Sequence, residues 1–304
     1  MTDKRELKYR AVAFQSESTE GTDPTGGTPS TFYRVLGTGH AINPKRTFLP
    51  DESVGGTHER PANQSIGSHN DVAFQMYLFG KESSAGDPAQ QADLLKACGF
   101  KETITASTSA AYELTTFHTT ANAPTMTVYE RRWHTDAEYR QTIASAVRGN
   151  AMLTFEMEKY ALIDFQEGIG GYQETGSSTT AGSPPAFGGY NGGKSPLKVV
   201  SMTATFDATA RKIKKLDVAT AWGVIQDKDS NGSTSHRQTE LVRTDPPAGS
   251  LDSSDIDLFE DVLTAQSTDA TVTVQIVLPD DVGPLKAALE GWTDESDPRA
   301  DIGA

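Results

Sequence analysis

The sequence is short of the features that define several common classes of protein. It contains a single cysteine, Cys98, so no disulfide can form within the chain. No window approaches the roughly 20 consecutive apolar residues of a membrane-spanning helix, and no apolar run follows the charged first ten residues as in a secretory signal. We therefore expect folding in a reducing cytoplasm, no membrane partner, and a buried, reduced thiol at Cys98.

Clusters of positive charge are also scarce. The 304 residues carry a formal net charge of −14, and residues 245–304 hold 14 acidic and 2 basic residues. Proteins that bind nucleic acid need clustered Lys and Arg to neutralise phosphates. The basic clusters here are Arg131–Arg132, beside a predicted strand, and residues 211–215, at the end of a predicted hairpin. We expect no specific binding of DNA, and an acidic surface would repel it.

Recognisable catalytic and metal-binding patterns are missing as well. There is no G-x-S-x-G nucleophile motif, and the six histidines never reach a spacing such as H-x₃-H that would place two on one metal ion. Among the 41 acidic residues, nothing singles out a glycosidase pair. We therefore predict no enzyme activity, no cofactor and no metal site.

One match to a nucleotide-binding motif is contradicted by its flanks. Residues Gly188–Ser195 fit G-x-x-x-x-G-K-[ST], the loop that wraps phosphates between a buried strand and a helix. The preceding residues, TTAGSPPAF, are unsuited to a buried strand, and the following residues are β-branched and typical of a strand. We interpret the match as a glycine-rich loop.

A second match resembles half of a calcium-binding loop. Asp227, Asp229 and Asn231 stand at positions 1, 3 and 5, with Gly232 at position 6. Position 12 is Gln238 rather than a bidentate Glu, and both flanks are predicted strands. A hairpin turn through Asn-Gly is favoured, with calcium binding as the alternative.

The pattern of apolar residues predicts a mainly β protein. Turn-bounded runs rich in β-branched and aromatic residues indicate short antiparallel strands, and we expect one domain over residues 1–304, a β-sandwich or barrel. Residues 135–147 could form a helix or a strand, and we favour the strand. The other predicted strands are 8–15, 32–36, 71–79, 111–116, 126–133, 152–157, 160–166, 199–206, 214–225, 238–242 and 271–278.

One or two short α-helices are predicted beside the strands. Within residues 87–100 (DPAQQADLLKACGF), Asp87 can cap the helix, Leu94 and Cys98 share its apolar face, and Gly99 supplies the left-handed residue that ends it. This helix is therefore short and docks on one side only.

The remaining segments are mostly irregular. Residues 37–70 are predicted to form a long loop, residues 173–196 a Gly/Ser-rich insertion, and residues 293–304 a flexible C-terminal end. Residues 284–290 are predicted as a second short helix that stops at Gly291.

Four stretches, in this order along the chain, resemble the major tail tube protein of long-tailed bacteriophages. They are an N-terminal strand followed by an acidic loop, a strand that leads into the helix, a strand hairpin that starts at Arg-Gly and ends at Gly-Tyr, and a closing strand with a helix. In this sequence they are residues 13–26, 71–100, 147–172 and 270–293.

The resemblance implies a structural virion protein. Members of this family form rings, usually of six copies, and the rings stack into the hollow tail tube through which DNA is delivered to the host. The implied partners are other copies of the chain, the tape measure protein, the tail terminator and the baseplate or tail-tip proteins. The implied location is the virion tail, assembled in the host cytoplasm. The alternative is a carbohydrate-binding or adhesive β-sandwich protein of a phage tail or cell surface.

The resemblance also directs attention to residues that could line a channel or join two rings. Viral DNA should pass without specific binding, because attraction between the wall and phosphates would slow it, so we expect carboxylates on the wall. Residues 37–70 and the N-terminal segment are candidates for reaching an adjacent ring. The long hairpin after Arg148 is our candidate for the wall, and its candidate channel-lining residues are Glu156, Glu158, Asp164 and Glu167.

Overall fold

The fold is built almost entirely from strands. The computed structural model describes residues 9–37, 39–49, 64–80, 87–107, 109–114, 124–135, 138–173, 180–182, 196–206, 209–226, 239–243, 248–252, 273–278 and 285–289. Within these ranges lie one helix, α1 (Ala92–Ala97), and 18 strands. The strands are β1 (Tyr9–Ser16), β2 (Tyr33–Arg34), β3 (Ile42–Leu49), β4 (Gln64–Tyr77), β5 (Phe100–Thr105), β6 (Ser109–Leu114), β7 (Met126–Thr135), β8 (Glu138–Glu156), β9 (Leu162–Gln173), β10 (Thr180–Ala181), β11 (Ser201–Phe206), β12 (Thr209–Lys212), β13 (Lys215–Ala219), β14 (Trp222–Gln226), β15 (Thr239–Arg243), β16 (Ala248–Asp252), β17 (Thr273–Leu278) and β18 (Leu285–Leu289).

Ten strands form one antiparallel sheet, which we call the main sheet. Its path runs β2-β1-β7-β8-β9-β4-β3, with β10 and β13 also paired to β8, and β16 paired to β13. Smaller antiparallel sheets hold β12-β11-β17-β18, β14-β15 and β5-β6. The predicted mainly β, antiparallel class with a short helix is therefore confirmed. In the described part of the chain the path ends at β2 and at β3, so the main sheet is open rather than closed into a barrel.

Bulges on neighbouring strands bend the main sheet. The register shifts in β4 at residues 72–74 and in β8 at residues 145–150. Ala146 in β8 and Glu167 in β9 adopt positive φ angles of 52° beside these shifts. A bulge bends its strand and increases the local twist. Because the bulges lie on adjacent strands, the sheet turns along the line that joins them.

One aromatic ring packs against the backbone at this bend. The side chain of Phe165 is fully buried and packs directly against Gly149 and Gly168. A Cβ atom added at Gly168 would lie 2.3 Å from Cε1 of Phe165 and 2.5 Å from the carbonyl oxygen of Val72. Glycine is therefore required at position 168 for the close approach of the ring and β4.

Apolar clusters lie on both faces of the main sheet. Along β1, Val12 and Phe14 belong to the larger cluster, which also contains the buried face of α1, and Ala11 and Ala13 belong to a smaller one. Burial on both faces explains why this strand reads as a continuous apolar run rather than an alternating one. The smaller cluster consists of Ala11, Ala13, Phe32, Tyr129, Trp133 and Ile143.

Helix α1 begins later than predicted. Its N-cap is Gln91, which makes no side-chain capping hydrogen bond, so the predicted cap by Asp87 is wrong. The Gln91 side chain instead accepts a hydrogen bond of 2.9 Å from the backbone N–H of Phe79 and donates one of 2.7 Å to the carbonyl oxygen of Tyr77. Gln91 thus joins the helix to the end of β4.

The end of α1 follows the prediction. Leu94 and Cys98 are fully buried, and Gly99 has a φ of 84°, in the left-handed region. Burial raises the pKa of the Cys98 thiol, because a thiolate there would be desolvated. The predicted buried thiol is confirmed.

The prediction of a long loop over residues 37–70 is wrong, because strands occupy much of it. β3 pairs with the first part of β4, with Ile42 opposite Val72 and Leu49 opposite Gln64. β3 is hard to predict from the sequence because Pro44 interrupts the alternation of apolar and polar residues that is typical of a strand. Proline is tolerated there because β3 is an edge strand in the described part of the sheet.

Two further predictions near the C-terminal side need correction. The predicted helix over residues 284–290 is wrong: β18 lies there and pairs antiparallel with β17. Its sequence, LKAAL, favours a helix locally, and strand pairing overrides that preference. The predicted strand over residues 214–225 is two strands, β13 and β14, separated at Ala221, whose φ of 52° interrupts an extended chain.

Other predictions are confirmed or stay open. The strand favoured over residues 135–147 is confirmed as the first half of β8. β9 continues to Gln173, the first residue of the predicted Gly/Ser-rich insertion, and most of that insertion lies outside the described residues. The P-loop match, the calcium-like loop and the C-terminal end also lie outside them, so these interpretations and the single-domain assignment stay predictions.

Candidate functional site

One face of the main sheet is polar across six strands, β3, β4, β9, β8, β13 and β16. Directly opposed residues of antiparallel neighbours point to the same face, so the strand register defines its members. One row runs from Tyr77 through Leu162, Thr154 and Asp217 to Ser250. We call this surface, which lies opposite the larger apolar cluster, the polar face.

The alternation of residues along the strands produces the polar face. In β9, Ile163 and Phe165 are fully buried, whereas Asp164 between them is only partly buried. In β8, Leu153 and Phe155 are buried and the intervening residues point to the polar face. Each strand thus contributes its apolar residues to the core and its polar residues to the opposite surface.

The charged side chains of the polar face are mostly carboxylates. Six acidic residues lie on or beside it: Asp71, Glu156, Asp164, Glu167, Asp217 and Asp252. Four Lys or Arg residues lie on or beside this face in the described part of the chain: Lys45, Arg148, Lys159 and Lys215. The surface is therefore locally negative.

Ion pairs compensate the carboxylates near the margins of the polar face. Asp71 lies 3.6 Å from Nζ of Lys45 and 3.3 Å from Nε2 of His69. Asp217 lies 2.5 Å from Nζ of Lys215 and accepts a hydrogen bond of 2.7 Å from Oγ1 of Thr154. Burial alone would raise the pKa of Asp217, but the hydrogen bonds from Lys215 and Thr154 outweigh it and lower the pKa. Asp217 is consequently ionised at neutral pH.

The carboxylates at the centre of the polar face lack such compensation. Asp164 accepts a hydrogen bond of 2.6 Å from Nε2 of Gln166, and Glu167 accepts one of 2.8 Å from Nδ2 of Asn150. Both donors are neutral amides, and neither carboxylate forms an ion pair within the described residues. The centre therefore carries negative charge held in place by hydrogen bonds.

The structure places three of the four predicted channel-lining residues on or beside the polar face. Glu156, Asp164 and Glu167 lie on or beside the polar face, and Glu156 is paired with Lys159 at 2.6 Å. Glu158 lies instead in the turn after β8, exposed and with a φ of 67°. Whether any of the four lines a channel stays a prediction.

Sequence reasoning missed the other three carboxylates of this surface. Asp71, Asp217 and Asp252 lie on β4, β13 and β16, and only the pairing of distant strands brings them beside β8 and β9. The alternation in Lys215–Ala219 could have indicated that Asp217 faces outward. No local signal indicates which strand it pairs with.

An aromatic pair borders the polar face. The rings of Tyr77 and Tyr160 meet edge to face, with centroids 5.3 Å apart, and Tyr160 is 48% exposed. Tyr77 is the last residue of β4, and Tyr160 lies in the connection between β8 and β9. This is an exposed aromatic surface next to hydrogen-bonding groups.

The acidic loop after β1 is fastened to the sheet through its own carboxylates. Glu17 accepts hydrogen bonds from Oγ1 of Thr127 at 2.5 Å, from Oγ1 of Thr125 at 2.7 Å, and from the backbone N–H groups of Ala146 at 2.9 Å and Gly21 at 2.7 Å. Four donors satisfy both oxygens of this buried group. Glu17 therefore serves the fold rather than a ligand.

The described residues hold no group of three or more His, Cys, Asp and Glu side chains that could bind a metal ion. Among these residues, no helix is both long enough and apolar enough to cross a membrane.

The fold and this site together define a mainly β, antiparallel protein with one carboxylate-rich sheet face. A comparison of the chain with protein-family models and with curated proteins gives no match.

Proposed function

We propose that this chain is a structural subunit of the tail tube of a long-tailed bacteriophage. Copies form rings, of six by the resemblance of the sequence, and the rings stack into a hollow tube through which DNA is delivered to the host. The chain has no enzymatic role and no cofactor in this proposal. It resides in the virion tail after assembly in the host cytoplasm.

The observation that carries the proposal is the uncompensated negative charge at the centre of the polar face. A tube wall for DNA needs an extended, regular surface that repels phosphates without trapping them, and a sheet with fixed carboxylates provides one. Asp164 and Glu167 are held by neutral amides, which preserve their charge. Of the four predicted wall residues, these two fit the role best.

The edges of the main sheet support assembly into rings. β3 pairs only with β4 among the described strands, so its other side offers backbone groups to a neighbouring strand. An exposed edge is normally a hazard for aggregation, and a ring-forming protein uses it for a specific contact. A head-to-tail contact that closes gives a ring, and a second contact along the axis gives a tube.

The partners in this proposal follow from the role. Other copies of the chain supply the ring and stacking contacts, the tape measure protein sets tube length, and the tail terminator and the baseplate or tail-tip proteins bind the two ends. Viral DNA passes through without specific binding.

Electron microscopy of the purified full-length chain tests the proposal most directly. We expect rings or tubes in negative stain, together with a concentration-dependent rise in light scattering and no need for a cofactor. A strictly monomeric protein at high concentration, even with its tail partners added, contradicts the proposal.

A second candidate function, carbohydrate binding, is favoured by the aromatic pair. An exposed tyrosine beside carboxylate and amide groups is suited to stack on a sugar ring while polar groups bind its hydroxyls. Tyr160 is exposed and contacts Tyr77, while Gln75 and Asp164 are opposed on the same face one row away. Binding to a glycan array that is lost in Tyr160→Ala, without any self-assembly of the chain, would favour this function over the tube.

A further inference from the structure

Three arginines form a row across three neighbouring strands at the end of the main sheet. Arg10 of β1 is directly opposite Arg132 of β7, and Arg132 is directly opposite Arg140 of β8. Opposed residues share a face with Cβ atoms about 5 Å apart, so like charges there are unfavourable without a counter-charge. We call these three residues the arginine row.

Within the described residues, one carboxylate forms an ion pair with the row, and it is already engaged. Oε1 of the buried Glu130 lies 3.9 Å from Nε of Arg10, a long ion pair. The same carboxylate accepts hydrogen bonds of 3.3 Å from the backbone N–H groups of Ala41 and Ile42. Glu130 therefore compensates Arg10 only in part.

The other two arginines have no carboxylate partner within the described residues. Arg132 contacts Nδ1 of His40 at 3.0 Å and Oγ1 of Thr142 at 3.1 Å, and neither group is a carboxylate. Arg140 is exposed and forms no ion pair there, although the exposed Glu138 lies two residues away along the same face of β8. The row thus retains positive charge in a chain of net charge −14.

Two buried nitrogen atoms of the row also lack hydrogen-bond partners in the described part of the chain. These are Nη1 of Arg10 and Nε of Arg132. A buried donor left without a partner is unfavourable, because it has lost its hydrogen bonds to water. A carboxylate placed against the row would supply both the missing charge and the missing acceptors, because guanidinium groups bind carboxylates through paired hydrogen bonds.

The chain itself contains a segment with the complementary charge. Residues 253–272 include five acidic residues and no Lys or Arg, and four of the acidic residues lie within residues 255–261, DIDLFED. This segment is opposite in sign to the arginine row, and its five carboxylates exceed the three positive charges of the row.

Geometry favours the segment of a second copy over that of the same chain. The segment starts after Asp252 of β16, which lies across β13 from Glu156 at the far end of β8. It ends at β17, whose partner β11 hydrogen-bonds to Ile213 just before β13. The path along β8 from Glu156 to Arg140 is about 50 Å, and the bend at residues 145–150 shortens the direct separation only in part. Residues 253–272 start and end in this region, so a chain of 20 residues can extend only about 35 Å from it before it must return. That reach is shorter than the path to Arg140.

We propose that the arginine row binds the acidic residues 253–272 of a second copy of this chain. The inference rests on the proposed function, to which it adds one specific contact between copies. The two surfaces differ, so each copy offers its row to one neighbour and its acidic segment to another. Such a contact repeats from copy to copy and suits either a ring or a stack.

Cross-linking between single-cysteine variants of the full chain tests which copy supplies the segment. Arg140→Cys and Asp257→Cys chains are mixed and treated with a short bismaleimide, to which the buried Cys98 does not contribute. We expect covalent dimers from the mixture and few from Lys101→Cys mixed with Asp257→Cys, since Lys101 is an exposed residue of β5, which lies outside the main sheet that carries the row. No dimers, or only internal cross-links in a chain that carries both substitutions, would overturn the inference.

Charge reversal provides an independent measurement by light scattering. Arg140→Glu should weaken self-association about tenfold or more, the loss of one charge-assisted contact, and Lys101→Glu should leave it unchanged. Asp257→Arg in the second copy should restore association with Arg140→Glu. Rings or tubes that form equally well from Arg140→Glu refute the inference and leave the proposed function standing. A wild-type chain that never associates refutes both.

Nucleic acid is the competing partner for an arginine row. If wild-type chain binds duplex DNA at physiological salt and Arg140→Glu abolishes that binding without weakening self-association, the row is a phosphate site and the inference is wrong.

Discussion

At the scale of single residues, a buried carboxylate orders the acidic loop that follows β1. Glu17 is 4% exposed and receives four hydrogen bonds, two from threonine hydroxyls of β7 and its approach, one from the bulge of β8 and one from its own loop. The bond from Ala146 comes from a residue with positive φ. A carboxylate is needed because every neighbour in this pocket is a donor.

Replacing Glu17 by Gln should therefore destabilise the fold. The amide would turn an NH₂ group toward at least one donor and leave it unsatisfied, which costs about 2–3 kcal/mol. Urea unfolding of both proteins measures the difference. Glu158→Gln, the same substitution at an exposed position, should change stability by less than about 0.5 kcal/mol. Equal stabilities for the two variants would show that the hydrogen bonds of Glu17 are unimportant.

At the scale of elements, the bend of the main sheet depends on glycine beside an aromatic ring. Gly168→Ala places a methyl group within 2.3–2.5 Å of Phe165 and the backbone of Val72, and both are fully buried. We expect a loss of about 2–4 kcal/mol, because neither the ring nor β4 can move without disturbing the core.

The matched control for this substitution is Gly39→Ala. A Cβ atom there meets nothing within 4 Å. Thermal unfolding should show a clear fall in Tm for Gly168→Ala and almost none for Gly39→Ala. If the two curves coincide, the sheet can bend without a glycine at this position.

The strands and the helix differ in how well they can be predicted from a single sequence. Strands with clean alternation, such as β9 with Ile163 and Phe165 on one side of Asp164, were predictable, as was the buried apolar face of α1. The edge strand β3 was not, because Pro44 hides its period, and LKAAL in β18 carries the opposite local preference. The composition of the polar face could not be derived, since it depends on pairings between strands far apart in sequence.

At the scale of the whole molecule, the proposed tube predicts a specific defect in DNA delivery. Asp164→Lys combined with Glu167→Lys reverses the uncompensated charges of the polar face. The new lysine side chains stay on the same face as the carboxylates that they replace. We expect virions with normal tubes whose DNA is ejected several-fold more slowly, because phosphates are attracted to each ring in turn.

The control for this defect places new positive charge away from the polar face. Thr103 and Thr105 are exposed residues of β5 outside the main sheet, and the double change to Lys should leave ejection unchanged. Ejection rates measured after triggering by the receptor distinguish the variants. Identical rates in all three virions would remove the polar face from the channel wall.

The attachment of the acidic loop has a consequence for the timing of folding. Glu17 binds Thr125, Thr127 and Ala146, which lie 108, 110 and 129 residues away in the sequence. Contacts of such long range form slowly, because closing a large loop costs chain entropy before the contact stabilises the fold. During synthesis, β1 and its loop must wait until the first half of β8, up to Ala146, has left the ribosome. β1 and its acidic loop are therefore synthesised first but become fixed only after β7 and the bulge of β8 have followed, so a nascent chain carries this loop unanchored in the meantime.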